Sequence, residues 1–278
     1  MVSGARVGYR AVFAIGEFRA LWAAEAVSQA GDQLARVALA ILVYSRTHSA
    51  LLTAVTYGLT FLPTLIGGAV FGSLADRYPR RTVMIVCDVA RAVLVGVMAI
   101  SGIPLWILLV LLAVVVGLGG PFRAAQQALL PDVLGEGDRY VTGMAIRNVT
   151  IQSAQLAGFA GGGVLVAVLS ARGGLALDAA TFLLSALLVM AGTRTRLAAA
   201  VAGKHSTLWQ AAHGIRLCAQ DRGLRSLIGF AALAGFYVAP EGLAAPYAAS
   251  LSHSGLTVGL IMAADPLGSV LGALLVTR

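Results

Sequence analysis

Charged side chains recur at helical spacing inside stretches that are otherwise apolar. Glu25, Asp32 and Arg36 fall within residues 20–44, ALWAAEAVSQAGDQLARVALAILVY. Asp32 and Arg36 are four apart, so on a helix they share a face and can pair. Glu25, seven before Asp32, lies on that face too. Asp88 and Arg91, three apart in CDVARA, form a second candidate pair. Glu241 stands between Pro240 and Gly242, and Pro246 follows. That pattern marks an interrupted helix able to line a cavity. An acid in such surroundings can exchange a proton or hold a cationic ligand, and an acid with a base can lock two helices. Charge in an apolar span is costly and usually functional.

Asp32 is the first candidate for proton or cationic-substrate coupling, with Glu25, Arg36 and Glu241 beside it. The competing reading is a fixed ion pair between Asp32 and Arg36 that never exchanges protons. Asp88 and Arg91 read either as a pair locking a helix end or as part of a gate. Arg123, after Gly119-Gly120-Pro121, is expected to pair with an acid or a lipid headgroup, and Arg147 likewise. Asp178 reads as structural. Tyr57, Phe61 and Phe236 are candidates to line a cavity, with a lipid- or core-facing place the stronger expectation for each one. Enzyme chemistry has no support: the chain has no HExxH, no G-x-S-x-G and no P-loop. Cys87 and Cys218 form no CxxC pair, and the four histidines have no ligand spacing, so neither a metal nor a cofactor is expected.

The elements that hold these residues follow from composition. Hydrophobic residues make up 59% of the 278 and charged residues 12%, against about 25% charge in a typical soluble domain. Mean hydropathy is +0.87. So little polar surface cannot cover so much apolar surface in water, which makes lipid the expected solvent. The formal net charge is +8. The basic residues lie mostly between apolar runs and not in one stripe, which excludes nucleic acid as the expected partner and fits the positive-inside rule.

Eight apolar segments are expected to be helices, at about 20–44, 50–75, 82–101, 104–128, 140–169, 174–193, 223–249 and 256–276. Pro131 and Asp132 are expected to close the fourth. An all-alpha, polytopic membrane bundle follows, since helices satisfy their own backbone in lipid. Its parts are a six-helix bundle over 1–193, an inter-half linker over 194–222 and the start of a second bundle over 223–278. Arginines concentrate before the first segment, at 77–81 and in 194–222, which puts the N-terminus and those loops on the cytoplasmic side of a plasma membrane.

The loop GSLADRYPRRT, residues 72–82, would then be a tight cytoplasmic turn that Pro79 keeps from continuing as helix. Gly68 and Gly72 make a small-xxx-small face suited to close helix packing. Gly268 and Gly272 repeat that spacing 200 residues later. Helix two would thereby correspond to helix eight, as in transporters built from parallel repeats.

Here the chain resembles a known family. GSLADRYPRR, residues 72–81, is similar to the loop signature G-x-L-A-D-R-x-G-R-R of the major facilitator superfamily, with Pro79 in place of a glycine. SQAGDQLARVALAILVY, CDVARA, GPFRAAQQALLPDV and LDAATFLLSALLV resemble helices one, three, four and six of its bacterial enterobactin and macrolide exporter branch. The likeness runs over roughly 15–278. It implies twelve spans in two halves, a central cavity, alternating access, and export in exchange for protons. It also implies a cytoplasmic gate at Gly72, Asp76, Arg77, Arg80, Arg81, Asp88 and Arg91. Against twelve spans, the chain has eight, so helices nine to twelve are absent and a C-terminally truncated form is expected. Its expected partners are protons, a small-molecule substrate and the bilayer. The alternative is a non-transporting membrane protein or a fragment acting only within a longer parent. Acids at Asp32 and Glu241 favour a cationic or amphipathic substrate, and the arginines equally an anion.

Overall fold

A computed structural model describes residues 8–60, 78–196, 220–235, 239–251 and 255–276. All regular structure among them is helical. A short α1 (Tyr9–Phe13) precedes α2 (Gly16–Thr47), and α3 (Ala50–Gly58) follows. Then come α4 (Arg80–Met98), α5 (Leu105–Leu134) and α6 (Asp138–Gly192). The later part holds α7 (Arg222–Gly235), α8 (Ala239–Gly242), α9 (Ala244–Leu251) and α10 (Gly255–Val276). Gly68, Gly72, Asp76 and Arg77 lie outside the described residues, as do Phe61, Phe236 and most of the 194–222 segment.

Two of these helices are long and apolar enough to cross a membrane, α5 and α6. The latter is two limbs. Ser170 takes φ 70° and ψ 166° inside it. Before this point Gly158 packs on Ala30 and Gly162 on Leu34. After it Gly174 packs on Ala38 and Gly192 on Ala20. The first limb, 138–169, therefore runs parallel to α2 and the second, 171–192, antiparallel to it. Each limb has the roughly 20 residues a bilayer crossing needs.

The boundary expected at Pro131 is overturned. α5 continues through Pro121 and Pro131 to Leu134 and stops at Gly135, whose N–H donates to the Pro131 carbonyl at 2.9 Å. Gly135 (φ 72°) and Gly137 (φ 88°) adopt conformations that only glycine takes without strain, and they turn the chain into α6. Proline costs each helix one backbone bond but does not end it when neighbouring helices hold the turn. α2 and α4 also start earlier than their apolar stretches, at Gly16 and Arg80, because their first turns are polar and lie at the bundle's end.

The apolar interior falls into two clusters. One gathers Phe18, Met84, Leu129, Leu130 and Val189. The other gathers Val37, Met98, Leu108, Phe159, Leu175 and Phe182. Along α2, α4, α5 and the second limb of α6 the chain passes from one cluster to the other. Glu25 and Asp32 of α2 and Asp88 and Arg91 of α4 fall at the crossing, so a polar layer separates two greasy cores.

Candidate functional site

The polar layer is built by close approach. A Cβ on Gly31 would run into Thr181 and the carboxylate of Asp178. The missing side chain lets α2 and the second limb of α6 meet, which brings Asp178 to the neighbourhood of Asp32. Asp178 is 1% exposed and accepts a hydrogen bond from the Thr181 hydroxyl at 3.2 Å.

Arg91, from α4, stands at the centre. Its Nη2 donates to both oxygens of Asp32, at 2.9 and 3.1 Å. Its Nη1 lies 3.6 Å from Asp88. The guanidinium stacks over the Phe182 ring, 3.9 Å from the centroid. Asp88 is fully buried, and neither of its oxygens has a hydrogen-bond partner of normal geometry. The Ser185 hydroxyl beside it is in the same condition. Three carboxylates, Asp32, Asp88 and Asp178, thus act on one guanidinium.

Glu25 has a separate partner. Arg147, from the first limb of α6, holds it through two hydrogen bonds of 2.5 and 2.6 Å and also reaches Gln126 at 3.1 Å. All three are buried.

Glu241 forms a third group. The Tyr57 hydroxyl donates to its carboxylate across 184 residues of sequence. Tyr57 and Glu241 are both buried, and the Arg36 guanidinium lies 6.0 Å from the Tyr57 ring centroid. Gly242 packs on Tyr57 and Ala54, which seats α8 against α3.

The pairing expected from spacing within α2 is therefore replaced. Asp32 pairs with Arg91 of α4, while Arg36 turns toward Tyr57 and Glu241. Spacing shows which residues share a face, but a guanidinium arriving from a neighbouring helix brings better geometry than a side chain one turn along. The reading of Asp88 and Arg91 as a helix-end lock changes as well, since both are buried in the polar layer. Of the two partners expected for Arg123, an acid or a lipid headgroup, the described residues supply no acid: it makes no hydrogen bond and no ion pair among them.

At one end of the bundle the arginines form clasps. Arg80 bonds Asp132 at 2.6 Å and the Ala128 carbonyl at 2.7 Å. Arg81 donates to the Met190 carbonyl and, at 2.7 Å, to Thr195. Arg196 holds Glu17 at 2.6 and 3.1 Å, and the Arg194 N–H reaches the same carboxylate at 2.6 Å. Burial opposes ionisation of Glu17, but the hydrogen bonds from Arg196 and Arg194 and their charges outweigh it and hold its carboxyl below the ordinary value of 4.5. These clasps tie α2, α4, α5 and α6 to one another. At the opposite end Arg46 bonds the Ile103 carbonyl at 2.9 Å. Among the described residues, a Cβ added to Gly268 would meet nothing within 4 Å.

A cavity opens beside the polar layer, lined among others by Asp32, Arg36, Arg91, Arg123 and Asp178, with apolar walls that include Val115. Its volume is about 40 Å³ with the helices as they lie, well below the roughly 300–1,000 Å³ of a pocket that encloses a small molecule. The model for the Major Facilitator Superfamily matches residues 21–220, which include this whole layer except Glu241. The chain belongs to the Major Facilitator Superfamily. Members of that superfamily are transporters and not enzymes.

Two relatives align over parts of the chain. One is an uncharacterized MFS-type transporter, YfiS, of Bacillus subtilis (strain 168), 29% identical over 170 residues, which are 61% of this chain and 40% of that protein. Macrolide efflux protein A of Streptococcus pyogenes is 29% identical over 100 residues, 34% of this chain and 25% of that protein. The matched region thus spans less than half the length of either.

Two features of the site escaped sequence reasoning. Asp178 was visible as an acid in a span, but its place beside Arg91 depends on Gly31. Gln126, three residues past Arg123, carries no signal beyond being polar in an apolar run.

Proposed function

We propose that the chain serves proton-linked export of small molecules by alternating access, as a multi-pass protein of the plasma membrane. The observation that carries this reading is the crowd of three carboxylates, the buried Asp88 and Asp178 and the partly buried Asp32, around the single guanidinium of Arg91. Membership of a transporter family supports it, and so does the name of the streptococcal relative as an efflux protein.

The chemistry follows from charge balance. Three carboxylates share the one guanidinium that is bonded among them, Arg91, while Arg36 and Arg123 stand further off, so keeping all three acids ionised in an apolar interior is costly. A proton on Asp32 removes one negative charge and weakens its hold on Arg91. The guanidinium then has Asp88, already 3.6 Å away on its own helix, as its stronger partner. Arg91 thereby has two arrangements, one bonded to α2 and one withdrawn to α4. A two-state contact of this kind can bias how α2 and α4 pack, which is what coupling a proton to a change of access requires. Glu241, with Tyr57 and Arg36, joins the earlier helices to the later ones and would loosen when the cavity opens on that side. The arginine-clasped end, where Arg80, Arg81, Arg194 and Arg196 gather, is the cytoplasmic one by the positive-inside rule, which puts the N-terminus inside the cell.

The test is efflux of a dye panel from everted membrane vesicles carrying the chain, beside an Asp32→Asn form. Efflux driven by a proton gradient and lost in Asp32→Asn supports the proposal. Equal efflux from both forms removes Asp32 from the coupling step, and no efflux from stably inserted protein refutes transport by this chain.

A further inference from the structure

Arg123 is the one cavity-lining arginine of α5, and the charge accounting around it is unequal. The cavity presents Arg36, Arg91 and Arg123 against Asp32 and Asp178. Arg91 is bonded to Asp32, and Arg36 lies with Tyr57 and Glu241. The charges acting on Arg123 from other helices are Asp32 and Glu25, which attract it, and Arg91 and Arg36, which repel it. Both attracting acids are already held, one by Arg91 and the other by Arg147. Arg123 is exposed to the cavity and has no hydrogen-bond or ion-pair partner among the described residues.

The local structure keeps the guanidinium where it is. It lies back along α5 over Gly119, one turn earlier, with Nη2 3.3 Å and Nε 3.9 Å from where a Cβ on that glycine would sit. Gly119 therefore leaves room for a flat cationic group against the helix. Around it the walls are apolar, with Val95, Met98, Leu112 and Val115 facing the same space.

We infer that this cavity, about 40 Å³ with the helices as they lie, takes an amphipathic organic anion when the helices part during the change of access, with Arg123 holding its carboxylate or an equivalent acidic group and the apolar walls taking its body. The inference rests on the transporter reading above and narrows its substrate class. A guanidinium presents a planar fork of donors that matches a carboxylate with two parallel hydrogen bonds. Away from water such a charge-assisted pair is among the stronger polar contacts available. A cationic ligand would instead have to displace Arg91 from Asp32 or tolerate Arg123 at close range.

Three probes with one body and different heads separate the possibilities: 1-naphthoate, 1-naphthamide and 1-naphthylmethylammonium. Binding of each to the purified full chain in detergent is followed by naphthalene fluorescence at fixed pH and ionic strength. The naphthoate is expected to bind about tenfold or more tightly than the amide, and the ammonium no better than the amide. Arg123→Gln is expected to abolish that preference while leaving amide binding in place, and Arg123→Lys to restore part of it. Gly119→Ala, which crowds the guanidinium without removing it, is expected to fall between. Retained amide binding and unchanged helicity serve as the check on folding. Naphthoate bound no better than amide, or a preference that survives Arg123→Gln, overturns the inference. The probes are then followed in proteoliposomes, where anion binding without movement of any probe would count against transport and leave the anion subsite standing. Gradient-driven movement of the ammonium in preference to the naphthoate would do the reverse.

Discussion

The crossing of α10 over the first limb of α6 is a contact between two backbones, and adding one methyl group should break it. A Cβ on Gly163 would lie 2.7 Å from the Gly255 carbonyl oxygen and 3.0 Å from the Gly259 Cα. A Cβ on Gly259 would lie 2.5 Å from the Phe159 carbonyl oxygen and 2.8 Å from the Gly163 Cα. Ordinary carbon contacts begin near 3.5 Å, so either alanine needs the helices to part by roughly 0.7–1 Å. The obstructing atoms are main chain and cannot rotate away. Overpacking of this kind costs about 1–3 kcal/mol, and a rigid obstacle puts the expected loss at the upper end. Gly161, two residues from Gly163 on the same helix, is the internal control, because a Cβ there meets nothing within 4 Å among the described residues. The assay is reversible unfolding of purified protein in mixed micelles, read by helicity. Gly163→Ala and Gly259→Ala are each expected to lose about 2–3 kcal/mol, and Gly161→Ala to be neutral or slightly stabilising. The double variant is expected to cost less than the sum, because the first methyl already parts the helices. If Gly259→Ala matches the wild type, the two helices do not cross at these glycines and the reasoning fails.

Other outcomes follow from the same contacts. Glu25→Gln strands Arg147 in a buried site and is expected to cost about 3–5 kcal/mol in the same unfolding assay, with Arg147→Met in the same chain recovering part of the loss. Asp132→Asn breaks only a partly exposed pair, and because Arg80 keeps the Ala128 carbonyl the expected change is under about 1 kcal/mol. The carboxyl of Glu17 is held below its ordinary value, so its contribution to stability is full above about pH 4.5 and is lost as pH falls through its lowered native value. Glu17→Gln should therefore flatten the acid limb of a stability-versus-pH curve, and a limb of unchanged steepness would remove Glu17 from it.

Much of the helical frame is legible in the sequence because the apolar runs are long. The segment boundary between 169 and 174 lies beside the reversal at Ser170, although no proline marks it. The end of α5 is less legible: Pro131 looks like a stop but lies where neighbouring helices hold the turn, and the stop comes at Gly135. The site is legible as a set of residues and not as a set of partners. Asp32, Arg91, Glu25 and Glu241 all stand out as charges in apolar surroundings. Their pairings with Arg91, Arg147 and Tyr57 depend on which helices touch, and that is set by glycines such as Gly31 whose role no local pattern announces. Arg123 stands out as a charge after two glycines and a proline, but its lack of a partner among the described residues cannot be read from its neighbours in sequence.

The central claim is that a proton on the Asp32, Asp88 and Asp178 cluster drives movement of a small molecule. The most direct measurement is accumulation of a transported dye in proteoliposomes of the purified chain under an imposed pH gradient, with no other energy source. The account predicts accumulation that follows the gradient, collapses when a protonophore dissipates it, and is lost in Asp32→Asn but kept in Glu17→Gln. Accumulation that ignores the gradient, or stably inserted protein that moves no dye under any gradient, would contradict it.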